Sequence, residues 1–289
     1  MSSCKLIVNN LSGNAPTESD VERLTTLLHE QYDTVDTVFI DFSNDIKMSD
    51  EVDGYDALAV CGGDGTLNSA INAVRNKKLS LIYVPCGTLN DTAKSLKLAR
   101  RVGGKKKIKR VDLGQIGDTM FAYVLAGGTF TAIGYKTKIK TKKRLKFFAY
   151  LAMVLREYKV HKIHAKITLK DKILEDDYTL IMALNASRCF GFRFNRLNKS
   201  DDGKAQLMLI KAPKRFLGRI KLFFPLFRAF FIGFNKEKNG KHLKFLTISD
   251  GKIELFESTV FTVDGEKIVL DAGEYDLKIL KQKFSLVVF

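Results

Sequence analysis

The sequence predicts a protein in two parts, an open parallel α/β domain followed by an antiparallel β-sandwich. Strand-like and helix-like segments alternate over the first hundred residues, which is typical of a parallel sheet covered by helices. Beyond about residue 112, short strand-like segments mostly follow one another directly, which favours an antiparallel sandwich or barrel. The length of 289 residues is enough for two hydrophobic cores of moderate size.

The alternating part divides into elements by hydrophobic spacing. Pro16 precedes a segment whose apolar residues recur at helical spacing, and β-branched or continuous apolar runs indicate the strands. The run at Asp56–Cys61 lacks polar alternation, so we expect it to be buried on both faces of the sheet. The predicted elements are strands 4–9, 36–42, 56–61 and 79–85 and helices 17–32, 66–76 and 90–98.

The strand-rich part contains one long predicted helix, Lys142–Tyr158, and an aromatic segment, Phe216–Phe234. Three basic residues and Pro225 interrupt the aromatic segment, so it predicts amphipathic helices, packed in the core or lying at a membrane surface, rather than a spanning helix. We predict domains at 1–112 and 113–282, with a last strand near 283–289 that can return to the first domain. A functional site is expected in the cleft between the two domains.

Charge divides the chain unevenly. Residues 1–95 hold 7 Lys and Arg against 14 Asp and Glu, whereas residues 96–289 hold 41 against 18. A basic second part is attracted to anionic lipid, acidic substrates or nucleic acid, but no nucleic-acid recognition motif accompanies it. The four cysteines are scattered and no signal peptide is recognisable, so we expect a cytoplasmic protein.

The stretch Gly62–Thr66, Gly-Gly-Asp-Gly-Thr, joins a predicted strand to a predicted helix. Glycines let backbone N–H groups approach phosphate oxygens, and the N-terminus of a helix favours an anion. Asp64 repels phosphate unless it binds Mg²⁺, which accompanies nucleotide phosphates. The loop alone is therefore compatible with a Mg-nucleotide site or with a plain strand–turn–helix connection.

Two further loops are expected at the same edge of the sheet. Pro85–Ala93 follows the next strand and supplies Gly, Thr, Asn and Asp side chains, and Asn9–Asn14 follows the first strand. Ligands of open α/β sheets bind at the carboxyl ends of strands, so these loops can converge on one ligand. Asp112 lies at the predicted domain boundary.

These motifs together resemble the diacylglycerol kinase catalytic-domain family, and most of all its soluble bacterial lipid kinases. The resemblance covers the whole chain. It is carried, in order, by Asn9–Gly13, Gly62–Thr66, Pro85–Ala93, Asp112–Gly114 and Asp264–Glu266.

The resemblance implies a role for each matching residue. It implies an aspartate–water–Mg²⁺ network of Asp64, Asp91 and Asp112, a structural Mg²⁺ at Asp202, and a proton-accepting Asp264 or Glu266. The implied ATP contacts are Asn9, Asn10, Ser12, Gly13, Gly62, Gly63, Asp64, Gly65, Thr66, Asn68, Thr88 and Asn90.

Several positions depart from the family pattern. Asn10 replaces a proline, Ser69 a glutamate and Thr92 a phenylalanine, all close to the implied nucleotide site. Lys199 stands where an acidic residue would support the structural metal. These departures leave the fold intact and place activity and the structural metal in question.

The segment Val263–Glu266 allows two interpretations on its own. A strand would place Asp264 and Glu266 on one face, where a carboxylate can act as a general base. Alternatively, Asp-Gly forms a hairpin turn with Glu266 exposed. The resemblance favours the base.

The resemblance implies an ATP- and Mg²⁺-dependent kinase for diacylglycerol, located in the cytoplasm at the inner membrane face and attracted to anionic lipid. Phosphatidylglycerol or a long-chain amino alcohol are alternative acceptors, and a degenerate protein that only binds nucleotide or lipid is another alternative. NAD kinases and phosphofructokinases share Gly-Gly-Asp-Gly, but their further motifs are missing here. Exposed edge strands would allow a homodimer.

Overall fold

The computed structural model describes residues 2–41, 46–98, 107–128, 162–189, 191–193, 195–214, 224–225 and 228–288. The predicted helix Lys142–Tyr158 lies outside the described residues, as does most of the aromatic segment Phe216–Phe234. Within that segment, Arg228–Ile232 forms a π-helical turn.

The first part of the chain is a parallel sheet with helices. Its strands pair in the spatial order β2–β1–β3–β4, all in parallel, as predicted. The elements are β1 (Ser3–Asn9), α1 (Glu18–His29), β2 (Thr34–Ile40), β3 (Ala57–Gly62), α2 (Asp64–Val74), β4 (Ser80–Pro85) and α3 (Asp91–Ser95).

Local sequence explains where these elements begin and why they pack. Thr17 caps α1 and exchanges hydrogen bonds with Asp20, which forms a capping box. All six residues of β3 are buried, as expected for a strand covered on both faces. One face packs against α1 through Leu24 and Leu28, and the other packs against α2 through Leu67.

The second part is built almost entirely from antiparallel strands. The main path runs β11–β12–β10–β9–β8–β13–β16, and β7 and β14 extend the sheet from β9. These strands are β5 (Lys107–Ile116), β6 (Thr119–Phe121), β7 (Val124–Gly128), β8 (Ile163–Leu169), β9 (Lys172–Leu184), β10 (Ala205–Lys211), β11 (Lys238–Asn239), β12 (Leu243–Ile248), β13 (Asp250–Leu255), β14 (Thr259–Val263), β15 (Glu266–Leu270) and β16 (Gly273–Val288). The predicted fold class, α/β followed by antiparallel β, is confirmed.

The 16-residue strand β16 joins the two parts. It pairs antiparallel with β13 and β5, and near its end it pairs in parallel with β4 at Leu286 and Leu81. Its register against β5 shifts between Leu280 and Phe284, where Gln282 adopts a φ of 48°. The last strand therefore enters the sheet of the first part, and the division of the chain at residue 112 stays a prediction.

Among the residues that the structure describes, no helix is both long and apolar enough to cross a bilayer.

Candidate functional site

The three loops singled out from the sequence lie at one edge of the parallel sheet. β1 leads into residues 9–14, β3 leads into Gly63 and α2, and β4 leads into residues 85–91. Because β1, β3 and β4 are parallel neighbours, their carboxyl ends point the same way and bring these loops together.

Glycines let the loops touch through their backbones. A β-carbon on Gly87 would lie 2.5 Å from the Cα of Gly63, and a β-carbon on Gly13 would overlap Oγ1 of Thr88. A side chain therefore does not fit at Gly87 or Gly13 without moving the neighbouring loop. The result is a glycine-lined cradle of the kind in which backbone N–H groups approach a phosphate.

Side-chain amides fix the cradle. Asn9 Nδ2 donates to Thr66 Oγ1 at 2.9 Å, which joins the first loop to α2. Asn14 Nδ2 and Asn90 Nδ2 both donate to the carbonyl oxygen of Gly87, at 2.7 and 2.8 Å. Asn90 is fully buried in a left-handed conformation, with φ 48°, so it shapes the turn.

The remaining predicted ATP contacts divide by exposure. Asn10, Gly13 and Thr88 are exposed at this edge, and Asn9, Ser12, Gly63 and Gly65 are partly exposed. Gly62, Thr66, Asn68 and Asn90 are buried and support the loops from behind. The exposed and partly exposed residues remain the better candidates for a bound nucleotide.

Asp64, the carboxylate within the glycine-rich loop, holds the neighbouring loop. Its Oδ2 accepts from the backbone N–H of Asp91 and its Oδ1 from that of Thr92, both at 2.9 Å. Asp64 is also the first residue of α2. The carboxylate therefore links the glycine-rich loop to the start of α3, and each of its oxygens keeps a second lone pair.

Asp91 is buried where the two parts of the chain meet. Its Oδ2 accepts from the N–H of Gly191 at 2.7 Å, and its Oδ1 lies 3.8 Å from Nε of Arg188. Burial, together with the nearby Asp64 carboxylate, raises the pKa of Asp91 to about 6, although Gly191 and Arg188 oppose the shift.

Asp112 connects three segments through its carboxylate. Its Oδ2 accepts from the N–H of Gly203 and its Oδ1 from that of Gln282, both at 2.7 Å, and its own N–H donates to Ser200. Asp112 thus ties β5 to the loop before β10 and to the irregular position in β16. Asp112 is also buried, at 2% exposed, and its place in the expected water-mediated Mg²⁺ network stays a prediction.

The predicted metal sites involve two groups of aspartates. Asp202, expected at a structural Mg²⁺, is partly exposed, and its Oδ1 accepts from the N–H of Lys204 at 3.1 Å. In the part of the chain that the structure describes, no three His, Cys, Asp or Glu side chains form a group that could hold a metal ion by direct contact. The water-mediated network of Asp64, Asp91 and Asp112 and the structural Mg²⁺ at Asp202 both stay predictions.

Asp264 lies in a hairpin turn rather than on a strand face. β14 ends at Val263 and β15 begins at Glu266, so Asp264 and Gly265 form the turn, with φ values of 50° and 101°. Of the two interpretations of this segment, the hairpin turn with Glu266 exposed is the one that the structure shows, and which carboxylate acts as the base stays a prediction.

The carboxylate of Asp264 is buried and surrounded by donors. It accepts from the backbone N–H groups of Ala122, Tyr123 and Val124 and from Nδ2 of Asn68, at 2.5 to 2.9 Å. Burial raises the pKa of Asp264 to about 7 against the opposing effect of these hydrogen bonds. The side chain anchors the hairpin, and its four donors leave little access for an incoming hydroxyl group.

Glu266, two residues later, is exposed and reaches the glycine-rich loop. A β-carbon on Gly65 would lie 3.1 Å from Oε1 of Glu266. Asp264 holds the hairpin turn that places Glu266 there. Asn68 of α2 donates both to the Asp264 carboxylate and to the carbonyl oxygen of Met120. The α2 helix therefore holds the hairpin that presents Glu266.

Sequence reasoning missed several residues that build the site. Arg188 and Gly191 contact Asp91, Asn72 donates to the carbonyl oxygen of Met120, and Asn185 donates to that of Asp112. None of these residues belongs to a short motif. Only the spacing of Asn68 and Asn72, one helical turn apart on α2, was visible in the sequence.

The fold and the site define a class of protein: a parallel α/β sheet with a glycine-lined cradle, joined by its last strand to an antiparallel β part. The profile of the diacylglycerol kinase catalytic domain matches residues 3–122. Over those residues the chain is similar to that family, which confirms the resemblance carried by the motifs between Asn9 and Gly114.

Individual relatives are similar to this chain to different extents. A diacylglycerol kinase of Staphylococcus saprophyticus is 31% identical over 57% of this chain and 58% of its own length. A proposed lipid kinase of Staphylococcus carnosus is 27% identical over 85% of this chain and 81% of its own length. This chain therefore spans less than two thirds of the first relative.

The fold is similar to that of a solved structure. A proposed diacylglycerol kinase of Bacillus anthracis superposes with a TM-score of 0.72, covering 99% of this chain and 96% of that one, at 19% identity. This likeness confirms the arrangement of an α/β part and a β part.

Proposed function

We propose that this chain is an ATP- and Mg²⁺-dependent lipid kinase that phosphorylates the free hydroxyl of diacylglycerol to give phosphatidic acid. The observation that carries the proposal is the exposed Glu266 carboxylate beside Gly65 of the glycine-rich loop. A phosphoryl-transfer site needs a phosphate cradle and a group that accepts the proton of the attacking hydroxyl, and the two are neighbours here.

The cradle fits the phosphates of ATP, which we propose as the phosphoryl donor. The tight contacts of Gly13 with Thr88 and of Gly87 with Gly63 leave no room for a side chain at either glycine. Exposed Asn10 and Thr88 line the same edge and offer polar groups to a ligand. In this proposal, the backbone of the cradle binds phosphate oxygens, and Asn10 and Thr88 orient them.

The donor set fits a Mg²⁺ ion that is held mainly by phosphate oxygens and water. Mg²⁺ usually takes one or two carboxylates from a protein and keeps several waters. Asp64 adjoins the cradle and keeps free lone pairs, so we propose it as the carboxylate contact, with Asp91 behind it. When bound, the ion would neutralise charge on the phosphates.

Two carboxylates near the hairpin turn receive different roles. We propose Glu266 as the proton acceptor, because it is exposed and adjoins Gly65. Asp264 acts as a positioning residue, because its four hydrogen bonds hold the turn that presents Glu266.

Two observations support a lipid substrate: the names of similar proteins and the basic charge of the second part of the chain. Similar proteins bear the names diacylglycerol kinase and lipid kinase, and residues 96–289 carry a large basic excess that favours an anionic membrane surface. We therefore propose peripheral binding at the inner membrane face in the cytoplasm. A homodimer stays a prediction.

The test is transfer of labelled γ-phosphate from Mg-ATP to diacylglycerol, phosphatidylglycerol and a long-chain amino alcohol in mixed micelles. NAD serves as a soluble acceptor control. We expect labelled phosphatidic acid with the wild type, none with Asp64→Asn, and at least about a hundredfold less with Glu266→Gln. Label on another lipid would replace diacylglycerol as the proposed acceptor. Label on NAD alone would overturn the proposal that the protein is a lipid kinase.

A second candidate is a protein that binds nucleotide or anionic lipid without catalysis. Two observations favour it: Asp112 is buried with both oxygens accepting backbone hydrogen bonds, and Asn10, Ser69 and Thr92 replace the residues usual in the family. Calorimetric binding of ATP with no labelled acceptor would support this candidate. Turnover that disappears in Asp64→Asn would exclude it.

A further inference from the structure

Arg188 reaches from the β-rich part to the loop that follows β4. It lies just beyond the end of β9, whereas Asp91 begins α3, almost one hundred residues earlier. Nε of Arg188 lies 3.8 Å from Oδ1 of Asp91. The ion pair therefore joins the two parts of the chain directly beside the cradle.

Both atoms of this contact are buried, and neither has a hydrogen-bond partner among the residues that the structure describes. Nε of Arg188 and Oδ1 of Asp91 are each shielded from solvent, and the side chain of Asp91 is only 1% exposed. Burying a hydrogen-bond donor and an acceptor without partners costs free energy. A shorter distance between Nε of Arg188 and Oδ1 of Asp91 would form a hydrogen bond and offset that cost.

Gly191 fixes the rest of the arrangement. Its N–H donates to Oδ2 of Asp91 at 2.7 Å, and its carbonyl oxygen accepts from Nη2 of Arg188 at 3.1 Å. Arg188 is therefore tethered to the same glycine that binds Asp91. The guanidinium has few alternative positions, and its side chain remains 28% exposed toward solvent.

Asp91 passes this restraint on to the glycine-rich loop. The backbone N–H of Asp91 donates to Oδ2 of Asp64, and Asp64 is the residue that stands between two glycines of that loop. A contact chain thus runs from Arg188 through Asp91 to Asp64. Displacing Arg188 would loosen the loop that carries Gly87 and Thr88.

We propose that Arg188 is a positioning residue for nucleotide binding, which acts through Asp91 to hold the loop at 85–91 against the glycine-rich loop. The inference rests on the proposed function, since it assumes that the cradle binds ATP. Arginine suits the role because its planar guanidinium is always charged and donates in several fixed directions, so it binds Gly191 while it faces Asp91.

The experiment is calorimetric titration of Mg-ATP into the full chain carrying single substitutions. Arg188→Met removes the charge and keeps the length, Arg188→Lys keeps the charge, and Arg196→Met is the control, because Arg196 is exposed in the same stretch. We expect Arg188→Met to weaken ATP binding on the order of tenfold, with partial rescue in Arg188→Lys and no change in Arg196→Met.

Two further measurements separate positioning from folding. Thermal unfolding is recorded for every variant, and titrations are run well below each melting temperature. Asp91→Asn and the double variant Asp91→Asn/Arg188→Met complete a cycle. If Arg188 acts through Asp91, the double variant binds ATP no more weakly than Asp91→Asn alone.

The outcomes are distinct. Wild-type affinity in folded Arg188→Met overturns the proposal, and so do strictly additive losses in the cycle. A wild type that binds ATP but phosphorylates no lipid overturns the proposed function and leaves the role of Arg188 testable by binding. A wild type that binds no Mg-ATP overturns both.

Discussion

The carboxylate of Glu266 lies against the backbone of Gly65, so that a β-carbon on this glycine would be 3.1 Å from Oε1. The contact joins the β14–β15 hairpin of the second part to the glycine-rich loop of the first. It depends on Asp264, which is buried among three backbone N–H groups and the amide of Asn68. One carboxylate therefore holds the hairpin, and the other faces the site.

Glu266→Gln tests the carboxylate that faces the site. The substitution removes the proton acceptor and keeps the size of the side chain, so we expect the turnover rate to fall about 10²- to 10⁴-fold while ATP affinity stays unchanged. Labelled phosphate transfer and calorimetry measure the two quantities. Glu257→Gln, an exposed glutamate near the same hairpin, is the matched control and should retain full activity. Undiminished turnover in Glu266→Gln would remove the residue from the mechanism.

Asp264→Asn tests the anchor. An asparagine places an amide donor where the carboxylate accepts from donors on every side, which leaves buried N–H groups without partners. At a pH above 7, where the Asp264 carboxyl group is ionised, we expect the free energy of unfolding to fall by about 2–3 kcal/mol, measured by urea denaturation. Glu266→Gln should unfold like the wild type. An equal free energy of unfolding for Asp264→Asn and Glu266→Gln would show that Asp264 does not anchor the hairpin more than Glu266 does.

Asp264 also predicts a pH dependence of stability. Burial raises its pKa from an ordinary value of 3.8 to about 7, so between these values the folded protein binds a proton that the unfolded chain releases. The free energy of unfolding therefore falls as the pH rises from about 4 to 7. Comparing urea denaturation of the wild type and Asp264→Asn isolates this contribution, and the stability advantage of the wild type should shrink across the window. A constant difference would show that Asp264 does not titrate there.

Gly87→Ala tests the cradle. The new β-carbon would lie 2.5 Å from the Cα of Gly63, so the two loops must separate, and we expect ATP affinity to fall on the order of tenfold or more. Gly54→Ala is the control: it has open space but a φ of 83°, so it should cost stability and leave ATP affinity unchanged. Calorimetry and thermal unfolding separate the two effects. Equal losses of affinity in both variants would indicate a general effect on folding.

The sequence predicted the architecture well, because hydrophobic periodicity is a local signal. The buried run of β3 and the helical spacing that follows Pro16 are visible in a few consecutive letters, and β3 and α1 form within the predicted ranges or one residue beyond them. The three loops at the sheet edge followed from the parallel order of the strands. Physical rules that act over a few residues were therefore sufficient for the first part.

The contacts of the acidic residues could not be predicted in this way. Asp112 accepts from Gly203 and Gln282, which lie 91 and 170 residues away, and Asp91 accepts from Gly191, 100 residues away. In the sequence, an aspartate that accepts hydrogen bonds from backbone N–H groups cannot be told from an aspartate that binds a metal. Only the folded neighbours distinguish the two, and the turn at Asp264 shows the same ambiguity.

Asp112→Asn distinguishes a backbone connector from a metal ligand. The carboxylate accepts one N–H on each oxygen, whereas an asparagine presents a donor to one of them, so we expect the free energy of unfolding to fall by about 1–3 kcal/mol. The Mg²⁺ concentration that gives half-maximal phosphate transfer should stay unchanged, because Asp112 is buried away from the cradle, whereas Asp64 is partly exposed. Asp202→Asn, which alters a partly exposed side chain, is the comparison and should cost less stability. A raised Mg²⁺ requirement in Asp112→Asn with unchanged stability would restore Asp112 to the metal network.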